Sequence, residues 1–103
     1  MKRKTRPCRD RAQRQLCAQV GQAVDLALGA SEDPVLQGCW VVDVRPAPNQ
    51  SRLRVRVQTG DELPWELLEQ RLQGAQSWLR SEVAASISRR RVPHLLVVWA
   101  GPA

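Results

Sequence analysis

The chain has 103 residues, a net charge of +6, 43% apolar residues and 25% charged ones, a balance that predicts one folded domain and excludes a chain disordered throughout. A domain of this size leaves little room for a deep pocket beside its core, so no large cofactor is expected. Three cysteines without a Cys-x-x-Cys pair, and a single histidine, exclude a zinc site and a disulfide framework.

The charge lies at one end. Residues 1–14 hold Lys2, Arg3, Lys4, Arg6, Arg9, Arg11 and Arg14 against Asp10 alone, whereas residues 15–103 carry nine arginines and nine acids. The expectation is a basic arm over residues 1–13 and one domain with a neutral body over residues 14–103. Such an arm suits a polyanion. It lacks the apolar residues that insert into lipid, so nucleic acid is favoured over a membrane, with a solubilising end as the alternative. No apolar stretch of a secretory signal follows the basic start, and no run approaches the roughly 20 apolar residues that span a bilayer. This reading predicts a cytoplasmic protein.

Leu16, Val20, Ala23, Val24, Ala27 and Leu28 recur at the spacing of one helical stripe, so a first helix runs to about Gly29. Ala30-Ser31-Glu32-Asp33-Pro34 reads as a loop, with the proline preventing the helix from resuming. Valine-rich segments at residues 39–45 and 52–59 flank Pro46-Ala47-Pro48-Asn49-Gln50-Ser51 and read as an antiparallel hairpin. In its second strand Leu53, Val55 and Val57 alternate with Arg52, Arg54 and Arg56. One face therefore takes the apolar side chains, and the other carries guanidinium groups about 6 to 7 Å apart, comparable to the spacing of phosphates along a nucleic-acid strand. Arginines on a solvated face, one of them paired with Asp43 across the hairpin, would give the same pattern.

Asp61 is the predicted cap of a second long helix, in which Leu68, Leu72, Ala75, Leu79 and Val83 form the buried stripe. Gly74-Ala75-Gln76-Ser77 interrupts it with poor helix formers, which predicts either a kink that exposes backbone amides or an unbroken helix carrying a harmless glycine. Arg89-Arg90-Arg91 is expected to close the helix, and Val92-Pro93 to bar its continuation. His94-Leu95-Leu96-Val97-Val98-Trp99 has no alternation, so this third strand is expected to be covered on both faces or to pack along the helix layer.

Catalysis has few parts to draw on: one histidine, no tyrosine and no glycine-rich phosphate loop. Cys39 and His94 are expected to be structural, and no acidic pair beyond the adjacent Glu32 and Asp33 suggests a metal-dependent nuclease. The four tryptophans fall at positions expected to face or edge the core, so base stacking is not anticipated and recognition would be electrostatic.

In order and spacing, several segments resemble the ribosome-binding factor A family, bacterial proteins that assist late maturation of the small ribosomal subunit. They are the turn Asp33-Pro34-Val35-Leu36, the strands Val41-Val42-Asp43-Val44 and Leu53-Arg54-Val55-Arg56-Val57, the helix segment Trp78-Leu79-Arg80-Ser81-Glu82-Val83 and the exit Arg90-Arg91-Val92-Pro93-His94-Leu95. The resemblance covers most of the chain and implies an α+β, KH-like fold of type II connectivity. Its order is α-β-β-α(kinked)-β, with the helices on one face of a three-stranded mixed sheet, which agrees with the order read from the residues. The family's Ala-x-Gly kink falls at Ala75-Gln76-Ser77, with serine in the glycine's place. Members commonly continue into a tail containing acids, while this chain stops at Gly101-Pro102-Ala103, and its basic arm is heavier than the family's.

The function implied is that of a non-enzymatic assembly factor whose partners are the 30S subunit and its 16S rRNA; no cofactor or metal is expected, and a neutral, compact body with a charged arm is expected to be a monomer. The residues expected to meet RNA are Lys2, Arg3, Lys4 and Arg6 in the arm, Ala75, Gln76 and Ser77 at the kink, and Arg80, Arg89, Arg90 and Arg91 around the second helix. Arg52, Arg54 and Arg56 rank below them. The alternatives are a stand-alone KH-like module for single-stranded RNA, and a protein-interaction domain with a solubilising arm.

Overall fold

The apolar stripe beginning at Leu16 is buried along one side of helix α1 (Arg11–Gly29), with Val20, Val24 and Leu28 fully enclosed. The computed structural model describes residues 11–46, 52–60, 62–87 and 93–101, without the side chains of residues 11–13. The arm residues Lys2, Arg3, Lys4 and Arg6, the cysteine Cys8, most of the hairpin loop, Asp61 and the arginines Arg89, Arg90 and Arg91 lie outside the described residues.

Pro34 does not keep the chain from turning helical again. It occupies the first position of a short helix, α2 (Pro34–Gln37), where its missing N–H costs nothing and its fixed φ is already helical. Asp33 caps this helix, its Oδ1 accepting from the Val35 amide at 3.0 Å. The Ser31 hydroxyl accepts from the Asp33 amide at 3.0 Å, which sets the carboxylate's position.

Strands β1 (Cys39–Pro46) and β2 (Arg52–Thr59) form the antiparallel hairpin, and β3 (His94–Trp99) pairs with β2 in parallel, giving the mixed order β1-β2-β3. A bulge between Val41 and Asp43 inserts Val42 into β1. Leu53, Val55 and Val57 are at most 1% exposed, and the helices cover this face alone. α1 packs on β1, where Gly21 permits the approach: a Cβ there would lie 3.3 Å from Val44 Cγ2. β3 packs along the helix layer but is not covered on both faces, since Leu96 is 52% exposed.

The second long helix is two helices, α3 (Trp65–Gly74) and α4 (Gln76–Ser86), broken at Ala75. Pro64, not Asp61, occupies the cap position of α3. Ile87 is already extended, so α4 ends three residues before Arg89 and the arginine triplet does not close it. Leu68, Leu72, Leu79 and Val83 from the two helices complete the core with α1 and the sheet. Each such buried side chain contributes roughly 1.5–3 kcal/mol.

The tryptophans edge the core and do not enter it. Trp40, Trp65 and Trp78 are 42%, 51% and 37% exposed, and only Trp99 packs at the core's margin. Leucine and valine fill the interior so fully that the larger rings are left at its edges.

Candidate nucleic-acid interface

The break at Ala75 is built by its neighbours. Ala75 is buried, and its amide donates to the carbonyls of Arg71 and Leu72 at 3.1 Å each. The Ala75 amide expected to be open to a phosphate is therefore already hydrogen-bonded. Gln76 is anchored more firmly still: its Nε2 donates to Leu72 O at 3.1 Å and Val97 O at 2.8 Å, and its Oε1 accepts from the Val97 amide at 3.1 Å. Its side chain holds the kink against the outer edge of β3. Ser77, Trp78 and Arg80 on α4 are exposed.

Beside this clamp a groove of about 280 Å³ runs between α3 and β3, lined by Glu69, Leu72, Gln73, Gln76 and residues Leu96 to Trp99. On the other side of the helices, Trp78 stands over the turn at residues 30–33. Arg71 Nη1 donates to both carboxylate oxygens of Asp33 at 2.7 Å, tying that turn to α3. Burial pushes the Asp33 carboxyl up, but the bonds from Arg71 and from the Val35 amide outweigh it and leave its pKa below the ordinary value.

The arginines of β2 stand on the opposite, helix-free face. Arg52 and Arg54 are exposed, while Arg56 makes a two-pronged bond to Asp43, Nε to Oδ1 at 3.0 Å and Nη2 to Oδ2 at 2.7 Å. That bond lowers the Asp43 pKa and raises that of Arg56. The structure thus does not bring the kink residues and the β2 arginines together; they occupy two faces. Arg45 is in neither group of expected RNA contacts. The hairpin register sets it directly opposite Arg54; the sequence offers only an expected pairing of Asp43 with one of the β2 arginines, which leaves that register open.

Cys39 and His94 do not meet. They lie at opposite ends of β2, beside Thr59 and Arg52 respectively. Cys17 and Cys39 are thiols buried in the core, outside any disulfide, and among the described residues no cluster of histidine, cysteine, aspartate or glutamate could hold a metal ion. No helix among them is long and apolar enough to cross a membrane.

Two antiparallel strands, a third in parallel, and a broken helix pair joining them on one face define a KH-like domain of type II connectivity. A scan against protein-family models and a search of curated proteins each find no match. Solved structures do match. The crystal structure of ribosome-binding factor A from Thermus thermophilus is 30% identical with a TM-score of 0.69, the match covering 82% of this chain and 92% of that one. The Thermus thermophilus ribosome-binding factor A homology model fitted into the cryo-EM map of a 30S complex is 33% identical with a TM-score of 0.65, covering 84% and 94%. The chain belongs to the ribosome-binding factor A family.

Proposed function

We propose that the chain is a non-catalytic assembly factor that binds the precursor of the small (30S) ribosomal subunit through its 16S rRNA and assists its late maturation. The observation that carries this reading is the similarity, at 33% identity over 84% of the chain, to a protein fitted into a 30S complex. In this reading residues 1–13 form a basic arm and residues 14–103 one domain, acting in the cytoplasm as a monomer.

The chemistry is electrostatic. The arm, with Lys2, Arg3, Lys4 and Arg6, neutralises phosphates, and Arg80 on α4 adds to the contact together with Arg89, Arg90 and Arg91, which follow that helix in the sequence. The Ala75-Gln76-Ser77 break presents Ser77 at the surface while Gln76 keeps the two helices in place. Arginine suits this task because its planar fork hydrogen-bonds a phosphate with two donors. With about six phosphates neutralised, log K should fall against log salt with a slope of about −4 to −5.

Sedimentation of a lysate through a sucrose gradient, with the protein followed by antibody at low and moderate salt, tests the reading. Migration with free small subunits and not with 70S particles supports it. Confinement to the top of the gradient at both salts refutes it. Deleting residues 2–14 separates it from protein interaction: partner binding that survives the deletion and ignores salt would establish the latter.

A further inference from the structure

The sequence presents a body with as many acids as arginines, but the fold does not spread them evenly over its faces. The register fixes what the helix-free face of the sheet displays: Trp40 opposite Gln58, then Asp43, Arg56 and Val98 in one row, Arg45, Arg54 and Leu96 in the next, and Arg52 beside His94. Four of the nine body arginines share this face with a single acid. Asp43 satisfies Arg56, and its Oδ2 lies 3.7 Å from Arg45 Nε. Among the described residues neither Arg52 nor Arg54 has an ion-pair partner.

Arg45 and Arg54 are directly opposed like charges on neighbouring strands, an arrangement that costs stability by itself. A polyanion lying across the pair would turn that cost into attraction. Arg52, Arg54 and Arg56 project at intervals of about 6 to 7 Å along β2, and the exposed indole of Trp40 stands farther along the same line, over Gly60. From Arg52 to the Trp40 row is six residues of strand, about 20 Å.

We infer that the helix-free face of the sheet is a second nucleic-acid surface, on which Arg45, Arg52 and Arg54 engage the phosphates of a short single-stranded RNA segment, Arg56 stays with Asp43, and Trp40 stacks on one of the RNA's bases. A duplex keeps its bases paired and stacked inside, out of reach of the indole, whereas a single strand offers both backbone and base. The inference deepens the proposed function by giving the assembly factor a contact on the side away from its helix break, and it takes the identity of the polyanion from that reading.

The test uses the full chain and a fluorescein-labelled single-stranded 12-mer RNA of mixed sequence, titrated at several salt concentrations, with the small-subunit gradient run in parallel. The Arg45→Gln/Arg54→Gln double variant should melt no lower than the parent, because a repulsion has been removed. Its oligonucleotide affinity should fall several-fold, with a salt slope shallower by about 1 to 2. Trp40→Ala should weaken binding about fivefold or more and leave the slope unchanged. Parental affinity and slope in both variants would overturn the inference, as would failure of the parent chain to bind the 12-mer. An acidic peptide that binds the parent as tightly as the RNA, and loses affinity in the same variants, would also overturn it by assigning the face to a protein. If the parent is absent from the small-subunit fractions while the variants still lose RNA affinity, the assembly-factor reading fails and the RNA surface stands. If the parent is present there and the variants bind RNA as the parent does, only the surface fails.

Discussion

The carboxamide of Gln76 pairs with both backbone groups of Val97, donating to its carbonyl at 2.8 Å and accepting from its amide at 3.1 Å. A side chain from the helix break thereby behaves as a short extra strand on the outer edge of β3. The opposite edge is treated alike, because Asp25 of α1 accepts from the Val41 amide of β1 at 2.7 Å. Edge strands with open backbone groups invite pairing with other chains, and here each edge receives one helical side chain at mid-strand.

Gln76→Ala removes three hydrogen bonds at a half-buried position. It should cost about 1–3 kcal/mol, read from the urea midpoint with the slope of the transition unchanged. Gln76→Glu is the sharper probe. A carboxylate facing the carbonyls of Leu72 and Val97 is disfavoured, so its pKa should be raised in the folded state. The variant should then be more stable at low pH, where the acid is protonated and can donate, and lose that stability as pH rises.

Asp33→Ala should destabilise by about 1 kcal/mol through loss of the α2 cap and should free Arg71 from the turn. Asp33→Asn keeps an acceptor for the Val35 amide and should retain most of the capping effect. Thermal melts of the two variants beside the parent separate cap from ion pair.

Acid should act through Asp33 and Asp43, whose pKa values both lie below the ordinary carboxyl value. A group with a lowered folded pKa adds stability above its unfolded pKa, about 3.9 for aspartate, and loses it as pH falls through the folded value. Stability should therefore decline below about pH 4, and Asp43→Asn should flatten part of that decline. The effect should be modest, since both pairs are near the surface. Urea midpoints at pH 7 and pH 3 provide the comparison.

Leu79→Ala should cost about 2–5 kcal/mol, because Leu79 is fully buried just after the break, where α4 meets the core. A loss below 1 kcal/mol, measured by denaturant titration, would show that this half of the helix pair is not packed as described.

Much of the fold is legible in the sequence, because burial imposes a period. The spacing from Leu16 to Leu28 could only be a helix face, and the alternation from Arg52 to Val57 only a half-buried strand. The helix break was legible as a weakness at Gly74 to Ser77, but what secures it was not. Gln76 reads as a kink residue expected at RNA, and its clamping role appears only when Val97, 21 positions later, is brought beside it. Pattern sets the tryptophans against or beside the core, and only the packed interior decides that Trp40, Trp65 and Trp78 stay partly exposed at its edge.

Local pattern, then, determined the elements, their order and the family resemblance, since each depends on residues close together in the chain. The tertiary structure decided where charge collects. Arginines that acids balance in the sequence are gathered onto one face by strand register, which sets Arg45 against Arg54 and leaves Asp43, paired with Arg56, as that face's one acid. Register is a pairing between distant segments, and electrostatic energy depends on distance in space, not along the chain.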